Sequence, residues 1–195
     1  MKSNVYKIEK ENKNLEAILK ESERVAEYNG LTHKQTLQLR LICEEIDGML
    51  PTIVDDYEGD FWIEFDKGVC KVNLSISMAE FSVSKKEELI KVATNKKNAS
   101  AVGIVGKIRS AIENFFLSEE NFGAYDMAAE YYNFKAEYNT YHIWRLEQYK
   151  ESINRDKELE AWDELEKSII ASVADDVIVG VKGKQANIVI VKKFA

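Results

Sequence analysis

The spacing of apolar residues divides the chain into two hairpins set between helices. Phe61, Ile63 and Phe65 alternate with Trp62, Glu64 and Asp66, and Cys70, Val72, Leu74 and Ile76 alternate with Lys71, Asn73 and Ser75. This period of two on both sides of Asp66-Lys67-Gly68 predicts a β-hairpin with a tight turn at the glycine. A second hairpin, VIVGV and NIVIV around Lys182-Gly183-Lys184, closes the sequence. Elsewhere apolar residues recur every three to four positions, the signature of amphipathic helix. A first helix begins near Asn4 or Asn14, reaches Tyr28 and stops at Gly30, which can take the left-handed conformation after a helix. Thr32-His33-Lys34-Gln35 reads as a capping box. It opens a helix with Leu39, Ile42, Ile46 and Met49 on one face, and Gly48 and Pro51 mark its end. Ser84 and Glu87 form another capping box, for a short helix over residues 85–92. Ile104, Ile108, Ile112 and Phe115 predict a helix over residues 101–117. Tyr131, Phe134, Tyr138, Tyr141 and Trp144 make an aromatic stripe on a helix over residues 127–149. Trp162, Leu165, Ile169 and Ile170 mark a last helix over residues 157–173.

Helices, hairpin, helices, hairpin is the order of an α+β chain rather than a doubly wound parallel sheet. The expected architecture is a two-layer sandwich: a mixed, mainly antiparallel sheet of four strands with helices packed on one face. It forms one domain over residues 1–195, with an extra helical insertion at about 118–155.

Composition narrows the function classes. With 45% hydrophobic and 31% charged residues, the 195-residue chain is of ordinary globular type, which excludes disordered, collagen-like and disulfide-dense scaffolds. Lys and Arg number 27 against 34 Asp and Glu, a net charge of −7, so nucleic acid and anionic membrane surfaces are not expected partners. No apolar run approaches the length of a membrane span, and the first residues do not read as a signal peptide, so the expected location is the cytoplasm. Cys43 and Cys70 are then expected to be reduced thiols. The charge is unevenly placed. Nine acids and no base lie between Glu44 and Asp66, whereas seven bases face two acids between Ser84 and Arg109. The basic stretch reads either as solvated surface or as a surface for something anionic.

Common catalytic signatures are missing. The sequence has no GxxxxGK[ST], GxGxxG after a strand, HExxH or GxSxG. The run from Asp55 to Asp60 lacks the sixth-position glycine and twelfth-position glutamate of an EF-hand loop. His33 falls in a cap and His142 beside the aromatic stripe, neither with a local orienting partner. Cys43 and Cys70 fall on apolar faces, as small buried hydrophobes do.

The stretch QLRLICEEIDGMLPTIVDDYEGDFWIEFDKGVCKVNLSIS resembles the start of a GHKL-type, histidine-kinase-like ATPase domain of the anti-sigma-factor-kinase branch. In that family a helix ending in glycine precedes a helix carrying a catalytic glutamate. A hairpin, a nucleotide lid, a glycine-containing turn into a helix and a closing hairpin follow. The resemblance covers about residues 14–117 and the tail from about 157. It implies Glu45 or Glu44 as the base, and phosphate binding by Gly103, Gly106, Lys107 and Arg109 at a helix N-terminus. ATP and Mg²⁺ are the cofactors it implies. The sequence departs from the family at the metal ligand, where Gly48 or Met49 replaces an asparagine. It departs again after the second hairpin strand, where ISMAEFSVS replaces an adenine-reading DxGxG. The expected function is therefore a degenerate ATPase-fold protein with a binding or regulatory role. An active ATP-dependent kinase and a structural interaction module remain the alternatives.

Gly103 and Gly106 also read as packing glycines within a helix. The aromatic stripe reads as core, or as an interaction surface (Tyr131, Phe134, Tyr138 and Tyr141) for a protein partner or a second copy.

Overall fold

Hydrogen-bonded pairing of two long hairpins, with a short strand added at either edge, builds one six-stranded sheet. The computed structural model describes residues 1–10, 14–54, 56–77, 103–117, 142–156, 168–182 and 185–194. In chain order these hold β1 (Tyr6–Glu9), α1 (Leu15–Tyr28), α2 (His33–Ile53), β2 (Glu58–Asp66) and β3 (Val69–Ser77). Then come α3 (Gly103–Leu117), β4 (His142–Arg145), α4 (Leu146–Asp156), α5 (Ile169–Val173), β5 (Asp176–Lys182) and β6 (Gln185–Lys193). The strand order is β1-β2-β3-β6-β5-β4, and every neighbouring pair is antiparallel. The sheet among the described residues is thus antiparallel throughout, not mixed, and has six strands where four were expected.

Alternation along the strands sends one set of side chains into the core. A row across the sheet runs Tyr6, Phe61, Leu74, Ile188, Val179 and Trp144. With the next row, Ile63, Val72, Ile190 and Val177, it joins Ile18, Leu39, Ile42, Ile46, Ile104, Ile108 and Ile112 of the helices in one apolar cluster. The opposite face carries Trp62, Asn73, Val189 and Ile178 in register, flanked by the Lys7–Asp60 ion pair. At the first hairpin Lys67 and Gly68 both have positive φ, 47° and 80°, as a two-residue type I′ turn requires.

The N-terminal segment is the first correction. A helix beginning as early as Asn4 was one expectation; instead Tyr6–Glu9 is an edge strand on β2 with Ile8 buried, and the helix starts at Leu15. The pairing extends back toward the chain start, where Ser3 N–H donates to Ile63 O at 2.8 Å and Ile63 N–H to Ser3 Oγ at 2.8 Å. The outer edge of this strand is closed by α1. Asn4 N–H donates to Glu21 Oε1 at 3.2 Å, and Asn14 Nδ2 donates to Lys7 O at 2.7 Å. Edge groups satisfied in this way are not available to template another chain.

The Thr32–Gln35 capping box forms as expected, and Gly30 has the expected positive φ of 66°. Helix α2, however, passes through Gly48 and Pro51 to Ile53. A proline within a helix costs about 3 kcal/mol, here confined to the last turn, where it removes the bond to the Asp47 carbonyl. Burial of Met49, Leu50 and Ile53 supplies about 1.5–3 kcal/mol for each side chain, which outweighs it.

A helix over residues 127–149 is also corrected. Within its described part His142–Arg145 is a strand, and helix begins only at Leu146. Trp144 lies opposite Val179 on the core side, 6.1 Å from the Tyr149 ring, while Arg145 points to the other face to meet Asp176. Period two, not a helical stripe, explains these two residues. Helix α5 is capped by Ser168, whose Oγ accepts from Ala171 N–H at 3.3 Å; Ile170 is buried, but Ile169 is 40% exposed. The helix expected over residues 85–92, the insertion's aromatic residues Tyr131, Phe134, Tyr138 and Tyr141, and Trp162 and Leu165 lie outside the described residues.

Candidate functional site

The two helices that carry the candidate residues, α2 and α3, pack against each other. On α2 the core positions Ile42, Cys43, Ile46 and Met49 face inward, which turns Glu44 and Glu45 to the half-buried flank. Glu44 is not a free carboxylate: Arg40 Nε lies 3.3 Å from its Oε1, and the same guanidinium also binds Glu23 on α1. Glu45 makes no such pair with any described residue and is the remaining candidate base.

The magnesium ion implied by the resemblance does not fit these residues. A turn beyond Glu44 and Glu45, Gly48 offers no side chain, and a Cβ built there would meet nothing within 4 Å. Met49 is 4% exposed and points into the core, and a thioether is in any case a poor ligand for a hard cation. Among the described residues no group of three or more His, Cys, Asp or Glu side chains could hold a metal ion.

The phosphate-binding set is divided. Gly103 is the first residue of α3, as the resemblance implies, but Gly106 is buried one turn inside, where it packs as part of the helix. The Lys107 ammonium sits over the Tyr149 ring, 5.1 Å from its centroid, so it is already engaged by α4. Arg109 is half-buried on the same helix. The segment in the place of the adenine reader lies outside the described residues from Met78 onward.

Both thiols are buried, as their apolar positions imply. Burial pushes the Cys43 thiol far above its ordinary range, with the neighbouring Cys70 adding to the effect, and raises Cys70 from 9.0 to about 12. Neither is a nucleophile near neutral pH. Their folded-state values lie above the unfolded ones, so the stability tied to the neutral thiols is full below about pH 9 and lost as pH rises toward 12. Urea unfolding in this window should show stability falling by up to about 1.4 kcal/mol per pH unit for each thiol. A Cys43→Ala/Cys70→Ala variant should lose that component. At pH 8 a thiol reagent should label neither cysteine in the native protein and both in urea.

Two buried carboxylates carry more of the fold than the expected site residues, and neither was found in the sequence. Glu21 on α1 is buried and accepts from Asn4 N–H, Tyr6 Oη at 2.9 Å and Arg24 at 2.7 Å, tying β1 to the helix layer. Asp176 accepts from Arg145 Nε at 3.0 Å, from Arg145 Nη2, from Glu147 N–H at 3.2 Å and from Val177 N–H at 2.9 Å. Partners 31 residues apart leave no local pattern to read. The only signal was the acid pair Asp175-Asp176 at the start of the apolar VIVGV strand.

Among the described residues no helix is long and apolar enough to cross a membrane. The chain matches no protein-family model, no curated protein and no solved structure.

Proposed function

We propose that this protein is a degenerate histidine-kinase-like ATPase-fold protein with a binding or regulatory role and without efficient phosphoryl transfer. The order of elements supports the layout: α1 closed by Gly30, α2 with Glu44 and Glu45, the β2–β3 hairpin, α3 opening at Gly103, and a closing β5–β6 hairpin paired to β3. The observation that carries the loss of chemistry is on α2. Where a metal-holding side chain would stand, the helix presents a bare glycine and a core methionine, while Arg40 occupies Glu44. Transfer of a phosphoryl group rests on positioning and on neutralising charge, and Gly48 and Met49 offer no oxygen ligand for the cation that does both. Glu45 could still orient a water or hydroxyl, but it would do so without that cation. Nucleotide, if bound at all, is held weakly, and the role falls to contacts with a protein partner.

Phosphate release from Mg-ATP tests this reading. The rate with protein present should equal the protein-free background, and Glu45→Gln should leave it unchanged. Turnover above background that disappears in Glu45→Gln would instead establish an active ATPase or kinase with Glu45 as its base.

A further inference from the structure

The outward face of α2 has a pattern that the core does not use. Lys34, Leu37, Leu41, Glu45 and Gly48 lie along one side of the helix, opposite the buried Leu39, Ile42, Ile46 and Leu50. Leu37 is 51% exposed, Leu41 is half-buried, and the surface beside Gly48 is open. Lys34 and Glu45, about three helical turns apart, make no ion pair with any described residue. The sign of Lys34 also runs against the helix's own dipole. Lys34 stands in the first turn, where no acid is present, and Glu44, Glu45 and Asp47 occupy the second half, with no base in the last turn. The lysine in the first turn is unfavourably placed for an isolated helix.

We infer that this face is a self-complementary surface on which a second copy of the chain docks, its α2 antiparallel to the first. The spacing selects that partner. The midpoint between Leu37 and Leu41 nearly coincides with the midpoint between Lys34 and Glu45. A single two-fold axis near Leu39 therefore brings Leu37 against Leu41 of the other copy and Lys34 against Glu45 of the other copy, each contact occurring twice. This reciprocity, in which residue i meets j and j meets i, is what a two-fold interface requires. The same pairing lays the Lys34 end of each helix along the Glu44–Asp47 stretch of its neighbour, which offsets the unfavourable placement of Lys34. Gly48 leaves room beside the corner of the opposite copy that follows Gly30. Arg40 stays in its intrachain pairs with Glu23 and Glu44, at the rim. An interface of this extent lies at the small end of specific association, so the dimer forms and separates in the micromolar range. The surface does not depend on nucleotide binding.

Sedimentation velocity over a concentration series provides the test. The expected result is a concentration-dependent species at twice the 22.4 kDa chain mass. Leu37→Lys should weaken it by about thirtyfold or more, and Lys34→Glu or Glu45→Lys alone by about tenfold. Lys34→Glu/Glu45→Lys together should restore association to within about threefold of the unmodified chain. All these side chains lie outside the core, and unchanged urea midpoints would verify that each variant folds. A species of single-chain mass up to about 200 μM would overturn the inference. So would a dimer indifferent to all three single substitutions, which would place association elsewhere or leave this face to an unrelated partner.

Discussion

Replacing Asp176 with alanine should destabilise the protein by about 3–5 kcal/mol, measured as a lower urea midpoint at unchanged slope. The carboxylate and its Arg145 partner are 7% and 9% exposed, so water cannot take over for either. Removing Asp176 takes the nearest carboxylate from a buried guanidinium, leaving Glu147 at 3.6 Å, and deprives the backbone N–H groups of Glu147 and Val177 of their acceptor. The pair also fixes β4 to β5 at the sheet edge, where Trp144 is held over the core by the same four-residue strand. Desolvation of both ions opposes the attraction between them, so the pair's net contribution is smaller than the cost of breaking it. An Arg145→Met/Asp176→Leu variant should therefore lose less stability than either partner's removal alone. A double variant worse than the sum of the two singles would show that the charges do more than satisfy each other.

Gly59→Ala is the second large effect, expected at about 2–3 kcal/mol by the same measurement. A Cβ at this position would stand 2.4 Å from the Ser75 carbonyl oxygen, 2.9 Å from Ile76 Cγ2 and 3.2 Å from Ile76 Cα. Backbone cannot rotate away as a side chain does, so the β2–β3 ladder itself must shift. Gly59 lies between Ile8 and Ile76 in register, and that shift would disturb β1 and β3 together. An exposed glycine offers the control: Gly48→Ala, with open space at its Cβ and a helical backbone, should stabilise by about 0.5–1 kcal/mol.

The hairpins and α2 were legible in the sequence because their side chains report a local period. Phe61, Ile63 and Phe65 alternate over a turn whose chemistry is explicit, and Thr32 with Gln35 announces a helix start. β1 was not legible. Four residues give too short a period, and the strand is held by groups far along the chain, Glu21 and Ser3 with Ile63 among them. β4 was misread because Trp144 happened to continue the spacing of Tyr138 and Tyr141, and nothing local distinguishes a strand partner of Val179 from a further helical turn. Pro51 was read as a stop because its steric cost is local, whereas the burial that overrides it comes from elements elsewhere. The candidate site was legible as residues but not as an arrangement. Glu44 and Lys107 looked available in sequence; Arg40 and Tyr149 occupy them in space.

Gly48 and Met49 of α2 offer no oxygen ligand for a nucleotide-bound magnesium ion. Thermal unfolding with ATP in EDTA, with Mg-ATP and without nucleotide tests this most directly. A nucleotide at a hundred times its dissociation constant would add about 2.7 kcal/mol, a rise of roughly 5–11 °C in Tm for a chain of this size. The same Tm is expected with ATP in EDTA as with Mg-ATP; a rise of that size seen only when magnesium is present would contradict the proposed loss of the metal ligand.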